Sequence, residues 1–305
     1  MLQALRTPEQ EKQMENPQSQ FAETLGYRTH YIEEGSGQAV VLIHGGGAGA
    51  DCRGNWSACW PLFAVEHRTI AYDMVGFGHS DAPDPAGFGY TQDARIAQLA
   101  AFLDALHLEK VNLVGNSMGG CTALGLAMRH RARVQNLVLM GSAGLNRSLG
   151  GPLAAIVNYD FTLEGMRAIV AALTAPGFCA DEELVQSRYA LSLKPATKAA
   201  YIATMGWIRQ QGGLHYPDEE IAKVKTRTLV VNGKNDRVVP VGDAYRFLEL
   251  LENASGAIIA HCGHWAMIER PTLFAEIANR FLRNQEAGAT AAIRSPRAAD
   301  CGSSD

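Results

Sequence analysis

No stretch of the 305-residue chain is apolar for the ~20 residues that a bilayer-spanning helix needs. The first 20 residues are polar and rich in Gln and Glu, with neither an apolar signal core nor an Arg-rich amphipathic face, so they do not read as a targeting segment. No membrane partner is expected, and the cytoplasm is the default compartment. Charge of one sign is also missing. With 27 Lys and Arg against 31 Asp and Glu, the formal net charge is −4, too small to gather polyanions, so no nucleic-acid partner is expected. Cysteines are few and scattered: Cys52, Cys59, Cys121, Cys179, Cys262 and Cys301 form no CxxC pair and no zinc spacing. That suits free thiols in a reducing compartment rather than a disulfide framework, and it suggests no metal site.

What is present is core-forming. At 47% hydrophobic residues, a chain of 305 can fill one large α/β domain, or one domain carrying an insertion. Arg28 to Glu33 alternates as a strand, while Ala39 to Ile43, Arg68 to Tyr72 and Val134 to Met140 are near-continuous apolar strands of the kind buried on both faces of a parallel sheet. Asp93 to Leu106 has apolar residues at helical spacing (Ile96, Leu99, Ala100, Leu103, Leu106). From Asn146 to about Leu214 the pattern is helical throughout, including Glu164 to Leu173, Asp181 to Leu193 and Thr197 to Arg209. Strands resume at Arg227 to Asn232 and Ala257 to Ala260, and a helix over Pro271 to Leu282 closes the pattern. The expected class is α/β, a mostly parallel, doubly wound sheet with its site at the carboxyl ends of the strands. The expected organisation is a flexible tail over 1–20, a core in two parts (21–145 and 215–285), an inserted helical cap over 146–214, and a second flexible tail over 286–305.

The chain is organised around Val111–Gly120, which reads as buried strand, very tight turn and helix start, with Ser117 at the apex of Gly115-x-Ser117-x-Gly119. Flanking glycines let strand and helix approach closely enough to push one hydroxyl out of a strained turn. A serine so placed needs a base and an orienting acid, in the chain order Ser, then Asp or Glu, then His. Asp236 follows the strand Thr228–Val231, and Glu249 and Glu269 fit less well. Of the two histidines in His261-Cys262-Gly263-His264-Trp265, His264 after the glycine is better placed to reach back over Ser117. His261 is the competitor, and the HxxH pair read as metal ligands lacks a third ligand nearby. Oxyanion donors are expected from the backbone N–H of Met118 and, in the His44–Gly47 run, from Gly46. His44 reads as a packing or hydrogen-bonding residue, and Asp73-x-x-Gly76-x-Gly78-x-Ser80 as a structural turn near the site.

These residues resemble the α/β-hydrolase superfamily from about Phe21 to Leu282. Gly45-Gly46-Gly47 with Asn55 beyond it, Gly115-Asn116-Ser117-Met118-Gly119-Gly120, Ser187-Arg188-Tyr189 and Gly263-His264-Trp265 narrow the resemblance to the meta-cleavage product hydrolases. That resemblance implies an α/β-hydrolase fold with a helical lid, no cofactor, and hydrolysis of a carbon–carbon bond in a vinylogous 1,5-diketone, a small-molecule ring-fission product of a catechol. It also implies that Arg188 binds the substrate's carboxylate and enol oxygens, with Gly45, Asn55, Asn116 and Trp265 lining the same polar half. Tyr159, Phe161, Trp207, Val238 and Val239 are candidates for the apolar half, although core packing explains each equally well. A homodimer or higher homo-oligomer is expected. The alternatives are a carboxylesterase or lactonase, which needs the triad but not Arg188, and a non-enzymatic binding protein. Haloalkane dehalogenases and epoxide hydrolases resemble this chain with aspartate at the elbow.

Overall fold

A computed structural model describes residues 17–283. The tail expected over 286–305 lies outside them, as do residues 1–16 of the other. At Gln20 a strand has already begun: β1 (Gln20–Thr24) and β2 (Tyr27–Glu34) form a hairpin. Its two loop residues, Leu25 and Gly26, both have positive φ (54° and 86°), the backbone of the tight turn that matches strand twist. Leu-Gly is not a strong turn signal in sequence, which is why the polar stretch before it reads as tail.

The eight strands order as β1-β2-β4-β3-β5-β6-β7-β8, with β3 (Ala39–Ile43), β4 (Arg68–Tyr72), β5 (Val111–Asn116), β6 (Val134–Met140), β7 (Arg227–Gly233) and β8 (Ala254–Ile259). β2 is antiparallel to both its neighbours and the remaining pairs are parallel. Valine and leucine fill the central strands, and β3 and β5 are buried at every residue. β8 starts three residues before the expected Ala257, because Ser255 and Gly256 at an exposed sheet edge carry no apolar signal.

The chain leaves β3 toward β4 on one side and returns to β5 on the other, so the sheet's order reverses between β3 and β5. At such a switch point the loops beyond the carboxyl ends diverge and leave a crevice. The register pairs Ile43 with Gly115, which sets the His44–Gly47 loop beside Ser117. Helices α1 (Cys52–Trp56), α2 (Trp60–Ala64) and α3 (Gln92–Ala105) precede β5, and α4 (Met118–Arg129) follows it directly. Between β6 and β7 the chain is helical: α5 (Leu153–Val157), α6 (Leu163–Leu173), α7 (Glu182–Ser192), α8 (Pro195–Gln211) and α9 (Asp218–Ile221). Their ends obey local chemistry. Thr162 and Asp181 cap α6 and α7 through side-chain oxygens, and Gly212, at φ 70°, ends α8. After β7 come α10 (Val241–Leu250), then α11 (Ala266–Glu269) and α12 (Pro271–Arg283) beyond β8.

Among the described residues no helix is long and apolar enough to cross a membrane. The five described cysteines are free, and only Cys179 is exposed. Burial pushes the Cys121 and Cys262 thiols up to about 12, so neither is a thiolate at neutral pH.

Candidate active site

Ser117 adopts φ 54° and ψ −117°, a backbone conformation that non-glycine residues rarely hold and that costs about 1–3 kcal/mol. The crossing of strand and helix enforces it. A Cβ at Gly115 would stand 2.5 Å from the Gly119 oxygen, and one at Gly119 2.3 Å from the Ile43 oxygen, so a side chain at either position would push α4 away from the sheet. Ser117 therefore sits at the N-terminus of α4, whose first-turn N–H groups, Met118 among them, have no acceptor within the helix. Gly46 packs against the Met118 side chain, where a Cβ would fall 2.6 Å from Cε. The loop carrying Gly46 is held by His44, fully buried, whose Nε2 accepts the Met74 N–H (2.9 Å) and whose Nδ1 donates to the Gly45 oxygen (2.7 Å). Burial lowers the His44 pKa, so the ring stays neutral in that role.

Asp236 is on the loop after β7, its Oδ1 accepting the N–H groups of Val238 and Val239 at 2.8 Å each. Its Oδ2 accepts from His264 Nδ1 at 2.7 Å, and both side chains are at most 1% exposed. This leaves His264 Nε2 buried without a partner. The Ser117 hydroxyl makes no hydrogen bond among the described residues, yet Ser117 and His264 line the same cavity. Separations of this kind close when substrate binds. The competitors fall away. His261 is exposed and off the cavity, and Glu249 is on α10, paired with Arg246. Glu269 has a different task that sequence reasoning missed: its buried carboxylate accepts the N–H groups of Gly263 (3.0 Å) and Ala175 (2.8 Å), clamping the His264 loop to the end of α6. The only sequence signal for this is a carboxylate five residues after the histidine, on a helix too short to read.

The cavity holds about 660 Å³ of empty space, counting its mouth, between the sheet and the helices that follow β6. On one side lies Arg188 of α7, 1% exposed. Its Nη2 donates to the Ala48 oxygen (2.9 Å), its Nη1 more weakly to Asn55 Oδ1 (3.4 Å), and its guanidinium stands 4.9 Å over the Trp265 ring. Nε has no partner, and no carboxylate of the described residues is within ion-pair distance. Burial pulls the Arg188 pKa down to about 10, which still leaves it charged at pH 7. A buried, unpaired cation is costly to fold, and facing a cavity it marks a place for an anion. Asn116 donates from Nδ2 to the Met140 oxygen (3.1 Å) and keeps its buried Oδ1 unpartnered, facing Gly45.

Three expected pocket residues lie elsewhere. Tyr159 and Phe161 stack on each other at 4.8 Å and meet Tyr201 edge-on, with Lys198 over the Phe161 ring. Trp207 instead covers the buried guanidinium of Arg95 at 5.6 Å. None of the three lines the cavity, whereas Val238 and Val239 do. Much of the rest of the lining is aliphatic and comes from α5 and α8, with Leu153, Ile156, Val157, Met205 and Ile208. The helical spacing of Met205 and Ile208 was the available signal, but periodicity does not say what an apolar face covers.

One buried cluster could be mistaken for a metal site: ligand-type atoms of His30, Cys52 and Asp73 lie within 4.8 Å of one another. They are already committed to each other. Asp73 accepts from His30 Nδ1 (2.7 Å), the Cys52 N–H (2.6 Å) and the His79 N–H (2.8 Å), while its backbone oxygen takes the Ser80 hydroxyl. The Asp73–Ser80 segment is thus a turn bonded about its own aspartate. Beside it, Asp51 caps α1 by accepting the Gly54 N–H, and burial together with Asp73 raises its pKa to about 6. An unfolded chain releases that proton near pH 3.8, so between about pH 4 and 6 the unfolded state ionises first and the fold loses stability as pH rises. Asp51→Asn, which keeps a capping oxygen, is expected to raise the melting temperature at pH 8 by more than at pH 4. An equal or larger gain at pH 4 would show that Asp51 does not hold its proton in the fold.

The family model described as alpha/beta hydrolase fold matches residues 38–271, from the start of β3 through the His264 loop, and the chain belongs to that family. Within it, the chain is a meta-cleavage product hydrolase. It is 52% identical over 263 residues, 86% of this chain and 90% of the relative, to the 2-hydroxy-6-oxo-6-(2'-aminophenyl)hexa-2,4-dienoic acid hydrolase of Metapseudomonas resinovorans. Among solved structures, a serine hydrolase involved in carbazole degradation matches with TM-score 0.80 and 50% identity, covering 87% of this chain and 98% of that one. A meta-cleavage product hydrolase from Pseudomonas fluorescens matches with TM-score 0.82 and 32% identity over 88% of this chain and 98% of that one.

Proposed function

We propose that the protein hydrolyses the carbon–carbon bond of a 2-hydroxy-6-oxo-6-arylhexa-2,4-dienoate, giving 2-hydroxypenta-2,4-dienoate and an aromatic carboxylic acid. The observation that carries this reading is the buried guanidinium of Arg188, without an ion-pair partner among the described residues, on the same cavity as Ser117 and His264. A dienoate carboxylate is the charge that this end lacks, and an aliphatic wall suits the aryl end.

In this reading Arg188 holds the carboxylate through the fork geometry of its guanidinium, assisted at the enol oxygen by Asn116 and Asn55. His264 Nε2 takes the enol proton and returns it to the carbon beside the distal ketone, so that the dienol becomes a keto form. Only then can the departing carbon leave as a stabilised enolate. Ser117, deprotonated by His264 while Asp236 orients the imidazole, adds to the ketone carbon, and the N–H groups of Gly46 and Met118 receive the developing oxyanion. The carbon–carbon bond breaks with its electron pair going to the enolate, which takes up the proton that His264 received from Ser117 to give the dienol product. Water then releases the acid from Ser117.

Arg188→Gln tests the assignment. Removing a charge-assisted pair from a desolvated site is expected to cost about 2–4 kcal/mol in kcat/KM, roughly thirtyfold to thousandfold, followed as loss of the dienoate's visible absorbance. A neutral ester has no carboxylate to lose, so any turnover of p-nitrophenyl acetate should survive the change. Equal losses on both substrates, with the fold verified by circular dichroism, would mean that Arg188 does not bind the carboxylate, and a carboxylesterase would then be the better reading.

A further inference from the structure

Asn146, on the segment after β6, lines the same cavity as Ser117. Leu149, Leu153, Ile156, Val157 and Leu214, from the same stretch between β6 and β7, line it too, none with a side-chain hydrogen-bonding group. A polar group in such a wall weakens the burial of plain hydrocarbon and gains only where the ligand offers a partner. The amide is also held in place. Gly144 donates its N–H to the Leu214 oxygen (3.0 Å) and accepts from Tyr216 N–H (2.8 Å), which pins the segment two residues earlier. On the far side, the Asn146 backbone oxygen packs so tightly on Gly213 that a Cβ there would stand 2.2 Å away. Asn146 Oδ1 accepts the Ser148 N–H at 2.9 Å, a local turn that fixes which end of the amide is oxygen. Its Nδ2 has no partner among the described residues. Three residues before it, the Ala143 N–H donates to the Ser117 backbone oxygen (3.1 Å), so the amide belongs to the wall that begins at the serine.

We infer that Asn146 is a specificity-determining residue that hydrogen-bonds a polar substituent on the ring attached to the distal ketone. The inference rests on the proposed dienoate reading and narrows it. An amide with Nδ2 free and one lone pair of Oδ1 unused can donate to a hydroxyl oxygen and accept from a hydroxyl or amino hydrogen. A ring with a hydroxyl or amino group ortho to the ketone satisfies it. An unsubstituted phenyl ring leaves the amide against carbon, and a site built to bond a polar group discriminates against the analogue lacking it. Because Asn146 is half-exposed, water offsets part of that loss, and the discrimination should be several-fold rather than thousandfold.

The experiment compares kcat/KM for the 6-phenyl, 6-(2-aminophenyl) and 6-(2-hydroxyphenyl) dienoates in the parent enzyme, Asn146→Leu and Asn146→Ser. The serine variant keeps an oxygen for the Ser148 N–H, so the turn survives while the amide is withdrawn, which covers the case of a misfolded leucine variant. The ratio of polar-substituted to phenyl turnover cancels any change in the amount of active protein. It is expected to fall about three- to tenfold in both variants, with phenyl turnover retained. An unchanged ratio in a variant that still cleaves the phenyl substrate, or equal losses on all three, would overturn the role of Asn146. Failure of the parent enzyme to cleave any of the three dienoates would instead overturn the dienoate reading on which it rests.

Discussion

Ser117→Ala is expected to lower product formation by a factor on the order of 10⁴ or more, while the fold and substrate binding persist. The fold should persist because alanine at φ 54° carries the strain that serine already carries, and the close approaches that shape the turn are made by Gly115 and Gly119. Substrate should still bind because Arg188, Asn55 and the aliphatic wall are untouched. The variant should therefore shift the visible spectrum of a bound dienoate on mixing, yet release no acid over many parent turnover times. Near-normal turnover by Ser117→Ala would remove the hydroxyl from the mechanism and leave His264 and water to act alone.

For Asp236→Asn the expected loss is also on the order of 10⁴ in kcat, with binding preserved, and the reason is a tautomer. Asp236 Oδ1 accepts two backbone N–H groups at 2.8 Å, from Val238 and Val239, and this demand does not change with the substitution. The single oxygen of asparagine must meet it, so the amide NH₂ is left facing His264 Nδ1, which in the parent donates to Asp236 Oδ2 at 2.7 Å. His264 then has to accept at Nδ1 and carry its proton on Nε2, the nitrogen that should take the proton from Ser117. Nitrogen-resolved NMR of the imidazole should show this exchange of tautomers alongside the lost rate. Glu249→Gln, on an exposed helix and paired with Arg246, is expected to leave the rate unchanged. If Glu249→Gln lost the activity and Asp236→Asn kept it, the acid would have been misassigned.

Much of this architecture is legible in the order of residues alone. The strands at Ala39–Ile43, Arg68–Tyr72 and Val134–Met140 appear at the expected residues because a strand buried on both faces has no choice but continuous apolar character. The turn at Ser117 is legible because its glycines are the only residues that permit the approach of strand and helix, a constraint confined to a few consecutive positions. Asp236 and His264 are readable by their order in the chain and by the strand ends they follow, and the structure brings their side chains within 2.7 Å.

What the chain does not announce is which of two apolar surfaces a side chain will join. Tyr159, Phe161 and Trp207 read equally as pocket or as packing aromatics, and they go to the contacts that hold the helices after β6 together and to the cover over Arg95, while shorter aliphatic residues of α5 and α8 line the cavity. Helical periodicity names a buried face without naming its neighbour, and that is settled only when the helices cross. Glu269 is a similar case, since its value lies in two backbone N–H groups, at Gly263 and Ala175, that meet only in the folded chain. So is Arg188: as a sequence it is one arginine on a polar helix, and only tertiary packing takes it out of water with no ion-pair partner among the described residues. Local sequence determines the elements and the strained turn because those depend on residues adjacent in the chain. The charge balance of the cavity depends on residues that are 133 and 140 positions apart, as Arg188 is from Asn55 and Ala48, and the fold alone decides it.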